Sequence, residues 1–370
     1  MAESVPEFAP ERLDVADTAA IRASLDEHGY ACIKEVASEA ELAEARDLLW
    51  NHLEGKEEEP LMRQPRPVGW KRGCPETWIE GHGDGLLTSG THCSAMWYVR
   101  SLPGVVRAFE AAYGEPAVAA YDRMSVNLPT SSGNPAPLRI AATTFKHGKL
   151  AANSLHTHFN QDGYGDEQLI CYAIFNFWDM NKSGGATAIV PGSHKRDKVE
   201  AINAMRNAQY SGEGRDRKWV GPGKPEEFLE PFTAQGLQPV VLNNKAGDLV
   251  LFDTGMYHAG CHAEDPTGMS NGGPAELLRV ICILSMAPAR LLQPYPEVHL
   301  ARRRAYELDV FTGGSCMGNL DEHGRPRRAI GFLQKVEQEG EPNVRNFQDA
   351  PLPVQAIIDP WSGGGGGARL

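Results

Sequence analysis

The order of hydrophobic and polar positions divides the chain into a front part with helical spacing and a longer part made of short apolar runs. Ser38 and Glu41 form a capping-box pattern ahead of apolar residues on one helix face, which predicts a helix over residues 39–54. The same reading predicts three more front elements: a helix at 11–29, a strand at 30–36 and a helix from Pro103 to about Tyr113.

After Val118 the pattern changes to short apolar runs separated by Gly, Pro and Asn. Such runs are typical of strands in a sandwich or barrel, so the chain is predicted to be mainly β with flanking helices. The predicted strands lie at 118–128, 168–178, 186–191, 239–243, 248–253 and 277–287. Stretches rich in Pro, Gly and charge at 129–141 and 211–238 are interpreted as insertions between strands.

Composition excludes several classes of protein. The formal net charge of −12 disfavours a nucleic-acid partner, because neutralising phosphates needs a basic face. No run approaches the roughly 18 apolar residues of a membrane span, and the acidic N-terminus does not resemble a signal peptide. Seven cysteines without a CxxC pair indicate reduced thiols. A cytoplasmic location is expected, with a peroxisomal one as the alternative because the chain ends in Ala368-Arg369-Leu370.

Three histidines carry the candidate chemistry. His156 and His158 are two residues apart, so on a strand both side chains would lie on the same face. His258 follows the strand-like run 247–253. Two ligands from one strand and a third from a distant strand can form a facial triad, which leaves metal positions open for substrate and oxidant. The pair alone is weak evidence, since two histidines can equally line a polar strand end.

Longer motifs strengthen the metal interpretation. A glycine turn, a strand and a Pro-Gly-Ser-His corner occupy residues 184–194, and the run 247–253 leads into His258-Ala259-Gly260. Together with Arg279 they resemble the phytanoyl-CoA dioxygenase-like branch of the Fe(II)/2-oxoglutarate dioxygenases, over roughly residues 28 to 310. The resemblance implies a double-stranded β-helix core of the jelly-roll, cupin-like type. It also implies that Arg279 binds 2-oxoglutarate and that the His194 corner is structural.

The first metal motif departs from the family pattern. The family has His-x-Asp or His-x-Glu, whereas this chain has His156-Thr157-His158. Three histidines would bind iron with one negative charge fewer, and Asp162 is a reserve carboxylate four residues beyond His158. Family halogenases have a small residue in place of the carboxylate, so a histidine there does not imply halogenation.

The resemblance implies an enzyme that uses Fe(II), 2-oxoglutarate and O2. We expect hydroxylation of a small organic substrate at an unactivated C–H, with release of succinate and CO2. Two alternatives stay open: a catalytically degenerate metal- or ligand-binding relative, and a three-His metal oxygenase that does not use 2-oxoglutarate. Ser125 and Asn127 are candidate pocket residues, and neither the substrate nor the oligomeric state follows from the sequence.

The spread of the motifs favours one elaborated domain. This domain would span residues 1–362, with a helical layer at about 11–115 and a core at about 118–290. A flexible glycine-rich tail would follow at 363–370.

Overall fold

The computed structural model describes these residues: 5–57, 70–74, 77–78, 86–87, 90–127, 171–209, 225–260, 277, 279–291, 296–309 and 345–361. Within them, two β-sheets carry most of the architecture. The larger sheet has the strand order β2-β3-β10-β7-β12-β6-β4, and β5 also pairs with β12. Its strands are β2 (Arg12–Leu13), β3 (Tyr30–Ile33), β4 (Leu86–Leu87), β5 (Ala117–Ala119), β6 (Met124–Asn127), β7 (Cys171–Asn176), β10 (Leu249–Asp253) and β12 (Arg279–Pro288).

The smaller sheet has the order β1-β9-β8-β11. Its strands are β1 (Glu7–Phe8), β8 (Thr187–Ile189), β9 (Val240–Leu242) and β11 (His258–Gly260). The last pairing is antiparallel and places His258 opposite Ile189 and Gly260 opposite Thr187. Residues opposite each other in a ladder point to the same face, so these four side-chain positions share one face of the small sheet.

Four helices cover the outer face of the large sheet: α1 (Thr18–His28), α2 (Glu39–Leu53), α3 (Ser94–Ser101) and α4 (Pro103–Tyr113). The start of α2 shows the predicted capping box, in which Ser38 Oγ accepts from the Glu41 amide and the Glu41 carboxylate accepts from the Ser38 amide. Gly114 ends α4 in the left-handed conformation. The predicted helices at 39–54 and 103–113 are therefore confirmed.

Alternate strand residues separate two hydrophobic clusters. Ala31, Leu249 and Leu251 belong to the cluster shared with the helices. Their strand neighbours Cys32, Val250 and Phe252 belong to a second cluster, which includes residues of the small sheet. The alternation follows from the two-residue period of a strand, and it defines an inner face of the large sheet that looks toward the small sheet.

Some predicted boundaries were wrong. The helix predicted at 11–29 begins only at Thr18, because Arg12–Leu13 pairs with β3 and Asp17 caps the first turn. The strand predicted at 118–128 is two strands, β5 and β6, which pair with different parts of β12. Local periodicity cannot detect pairing with distant strands.

Four helices were not predicted: α5 (Arg196–Gln209), α6 (Pro225–Thr233), α7 (Pro296–Glu307) and α8 (Leu352–Ile358). The second of them lies inside the stretch that was interpreted as an insertion. Phe232 of α6 packs edge-on against Tyr257, with ring centroids 5.1 Å apart, so α6 supports the segment before β11.

The two facing sheets with helices outside confirm a mainly β fold with flanking helices and a jelly-roll core. No helix in the described part of the chain is both long and apolar enough to cross a membrane. The assignment to one domain with a flexible tail stays a prediction, because 362–370 lie outside the described residues.

Candidate active site

Arg279 begins β12 on the inner face of the large sheet. Arg279 is two residues from Ile281, so both side chains point to the same face of the strand, and Ile281 belongs to the cluster between the sheets. The side chain is 6% exposed, and its Nη2 donates to Thr187 Oγ1 at 2.8 Å. Since Thr187 lies on β8, the guanidinium of Arg279 crosses the space between the two sheets.

Gly260 lies beside the same guanidinium. A Cβ built on Gly260 would lie 3.9 Å from Arg279 Nη1, which is ordinary van der Waals contact. Gly260 and His258 share a face of β11, and two strand residues span about 7 Å. His258 and Arg279 therefore approach the same interior from opposite sheets.

His258 is held as a buried imidazole, 5% exposed. Its Nδ1 lies 3.0 Å from the carbonyl oxygen of Met256, and a carbonyl can only accept, so Nδ1 carries the proton. With the proton on Nδ1, Nε2 is the nitrogen that would coordinate a metal, as in a metal-binding histidine whose other nitrogen is fixed by a hydrogen bond. Phe252 of the large sheet packs on the ring, with centroids 4.7 Å apart.

The Pro-Gly-Ser-His corner positions the segment that leads into His258. Ser193 Oγ, fully buried, accepts from the Tyr257 amide at 2.9 Å, and the Val190 amide donates to the Tyr257 carbonyl at 2.9 Å. His194 binds elsewhere, with Nε2 3.0 Å from the carbonyl oxygen of Asp26 in α1. Burial lowers the pKa of His194, which favours the neutral form of its ring. These contacts agree with a structural role for the corner.

The structure describes only some of the remaining predicted site residues. His156, His158 and Asp162 lie outside the described residues. In the part that is described, no cluster of three His, Cys, Asp or Glu side chains is placed to hold a metal. Ser125 is buried and pairs with Ile281, so it belongs to the inner face near Arg279. Asn127 pairs through its backbone with Arg279.

Sequence reasoning missed three polar residues of this interior: Thr187, Asn176 and Asn244. Thr187 holds Arg279, as described above. Asn176 pairs with Ile281, and Asn244 exchanges two backbone hydrogen bonds with Met180. Each lies within or beside an apolar run, and a polar residue inside such a run was the available signal.

The family model for phytanoyl-CoA dioxygenase matches residues 25–262, well over half of the chain. The chain belongs to the phytanoyl-CoA dioxygenase family. The predicted resemblance is thereby confirmed, and with it an oxidoreductase of the type that uses iron, 2-oxoglutarate and O2. The matched range includes His258 and the Gly-Ser-His corner, whereas Arg279 lies beyond its end.

Solved structures with a similar backbone include non-haem α-ketoglutarate-dependent enzymes. The carbocyclase SnoK from nogalamycin biosynthesis is 16% identical, with 76% of this chain and 88% of SnoK covered and a TM-score of 0.45. EctD from S. alaskensis, solved with 2-oxoglutarate and 5-hydroxyectoine, is 14% identical, with 78% and 84% covered and a TM-score of 0.42. At these values the likeness carries no argument about the reaction. A comparison with curated proteins finds no match.

Proposed function

We propose that this family member is an Fe(II)/2-oxoglutarate-dependent oxygenase that hydroxylates a small organic substrate at an unactivated C–H and releases succinate and CO2. The observation that carries the proposal is the placement of Arg279. Its buried guanidinium lies on the inner face, where Thr187 holds it. The guanidinium is also beside Gly260, which is two residues from His258 on the same strand. This arrangement suits a dicarboxylate that spans from a metal to an arginine.

The donor set fits an iron ion as far as it is described. His258 Nδ1 donates to the Met256 carbonyl, so Nε2 would be the metal-binding atom. We propose His156 and His158 as the other two ligands, with Asp162 in reserve. When bound, iron with its oxo-acid cosubstrate supplies the oxidising chemistry of the site.

The chain's own residues bind, orient and exclude water. Arg279 anchors the far carboxylate of the cosubstrate, and Thr187 fixes the direction in which the guanidinium points. Phe252 covers the His258 ring and keeps bulk water from that side. Ser125, on the inner face beside Arg279, is a proposed pocket residue, as is Asn127.

The second candidate is a catalytically degenerate relative that binds metal or ligand without turnover. The histidine at position 158, where the family has a carboxylate, favours it. A three-His oxygenase that does not use 2-oxoglutarate is disfavoured, because the buried Arg279 would then have no dicarboxylate to bind.

An anaerobic titration of the full chain with Fe(II) and then 2-oxoglutarate tests the proposal. We expect one metal per chain and a weak visible charge-transfer band when 2-oxoglutarate is added. His158→Asp separates the two candidates. If 2-oxoglutarate is decarboxylated only by this variant, the natural site is degenerate. If neither protein takes up stoichiometric metal, the oxygenase proposal is wrong.

A further inference from the structure

Two buried asparagines face the interior that contains Arg279. Asn176 is 1% exposed and Asn244 is 2% exposed. Within the described structure, neither the amide nitrogen nor the amide oxygen of either side chain has a hydrogen-bond partner. Buried amides are nearly always paired, and an unpaired one costs stability, so these four atoms form a set of donors and acceptors that a polar ligand can satisfy.

The sheet register places Asn176 beside Arg279. Asn176 of β7 lies directly opposite Ile281 of β12, and Arg279 is two residues away on the same face. Diagonal neighbours of this kind have Cα atoms about 7–8 Å apart. A carboxylate bound by the guanidinium would therefore lie within reach of the Asn176 amide.

Asn244 approaches from the small-sheet side. It exchanges backbone hydrogen bonds with Met180 at 2.8 and 2.9 Å, so the two side chains lie on the same face. Met180 Sδ lies 3.7 Å from Thr187 Oγ1, which accepts from Arg279. Asn244 is thus the cross-strand neighbour of the methionine whose sulfur contacts the hydroxyl that holds the guanidinium.

We propose that Asn176 and Asn244 complete the pocket for the far carboxylate of 2-oxoglutarate, each donating through its amide Nδ2. This inference rests on the proposed function, because it takes the dicarboxylate held by Arg279 as the ligand. An amide is neutral, so it adds donors without adding a second positive charge beside the guanidinium. The two side chains are positioning residues for the cosubstrate.

Asn176→Leu and Asn244→Leu test the proposal in the full chain with Fe(II), without oxygen. Calorimetric titration should show that each substitution weakens 2-oxoglutarate binding about tenfold, as expected for losing a hydrogen bond to a charged group. Pyruvate has the same oxo-acid group but no far carboxylate, and its affinity should be unchanged. Thermal unfolding without ligand should be unchanged or rise by a few degrees, since an unpaired buried amide is removed.

Ser285→Ala is the matched control. Ser285 lies on the same face of β12, is buried, and its hydroxyl also has no partner in the described structure. It is six residues from Arg279, about 20 Å along the strand, so its loss should leave 2-oxoglutarate affinity unchanged. If a leucine variant does not fold, Asn176→Ser or Asn244→Ser, each with a shorter polar side chain, takes the place of the variant at its position, with the same expected loss of affinity.

The outcomes separate the two proposals. If the unsubstituted protein binds no 2-oxoglutarate, both the function and this pocket are wrong. If it binds 2-oxoglutarate and the asparagine variants bind it equally well, only the pocket is wrong. Equal losses for pyruvate and 2-oxoglutarate in the variants that fold would instead indicate a structural role and overturn the inference.

Discussion

Arg279 of the large sheet donates through Nη2 to the hydroxyl of Thr187 on the small sheet, across 2.8 Å. Both side chains are buried, with 6% and 2% of their surface exposed. A guanidinium on a long flexible side chain binds a carboxylate best when its direction is fixed beforehand, and the hydroxyl supplies that restraint. The contact therefore links the packing of the two sheets to ligand binding.

Replacing Thr187 tests this link. Thr187→Val keeps the branched shape and removes the oxygen, so Arg279 loses its hydroxyl partner. We expect about fivefold weaker 2-oxoglutarate binding, equivalent to about 1 kcal/mol for one hydrogen bond, with unchanged metal uptake. Thr187→Ser retains the hydroxyl and should bind 2-oxoglutarate nearly as well as the natural protein. Equal losses for the valine and serine variants would contradict the assigned role.

Arg279 itself should separate cosubstrate binding from metal binding. Arg279→Leu removes the charged fork but not the imidazole of His258, and we expect about 100-fold weaker 2-oxoglutarate binding. Metal stoichiometry, measured by calorimetry or elemental analysis, should stay the same. Arg279→Lys retains the charge but not the planar fork, so it should restore only part of the affinity. Parallel losses of metal and 2-oxoglutarate in the leucine variant would count against the assignment.

The contact between Gly29 and His194 should control stability. Gly29 ends α1 at φ +81°, and a Cβ there would lie 2.4 Å from His194 Nδ1. Gly29→Ala should lower the free energy of unfolding by about 2–4 kcal/mol, because backbone strain and a steric clash add. Gly236 is the control, since it has φ +70° and nothing within 4 Å, so Gly236→Ala should cost only about 1 kcal/mol.

Urea unfolding measures both costs, and a double variant identifies the clash. Gly29→Ala combined with His194→Ala removes the ring that the new methyl group meets. The two changes should therefore cost less together than the sum of their separate effects. Additive costs would show that the strain comes from the backbone alone.

The secondary-structure elements predicted correctly from the sequence are those determined by neighbouring residues in the chain. The capping box at Ser38 and the proline at the start of α4 are short-range signals, and the structure has both of them. The segment 11–17 shows the opposite case. Its helical spacing gave way to a strand pair with β3, together with an ion pair from Arg12 to the buried Asp248 at 2.9 Å. Neither long-range partner is visible in a local window.

Only the site residues that belong to a recognisable sequence motif could be predicted. His258 and Arg279 were identified from short motifs, and the structure brings both to the space between the sheets. Asn176 and Asn244 were not identified, because their significance comes from strand register. Asn176 is next to Arg279 only through the pairing of β7 with β12, which joins residues about a hundred positions apart.

Asp253 should make stability depend on pH. It lies at the end of β10, five residues before His258, and accepts from the Gly255 amide at 2.6 Å. Burial raises the pKa of its carboxyl from 3.8 to about 6, although the Gly255 hydrogen bond and the charge of Lys195 act in the opposite direction. The folded state therefore favours the protonated carboxyl.

The raised pKa of Asp253 determines whether stability rises or falls with pH. Between about pH 4 and pH 6 the folded protein binds more protons than the unfolded chain, so this group's contribution to stability falls as pH rises. Asp253→Asn removes the charge and can still accept from the Gly255 amide. In metal-free protein we expect this variant to be about 3 kcal/mol more stable than the natural protein at pH 8. The difference should disappear near pH 4.

Urea unfolding across pH 4–8 checks the prediction, with Asp248→Asn as the matched control. Asp248 is also a buried carboxylate, but Arg12 binds it through two hydrogen bonds of 2.9 Å. Asp248→Asn removes the carboxylate charge that pairs with Arg12. This control variant should therefore be less stable than the natural protein at pH 8, whereas Asp253→Asn should be more stable. A constant difference between Asp253→Asn and the natural protein over the whole range would show that the carboxyl does not titrate in this window.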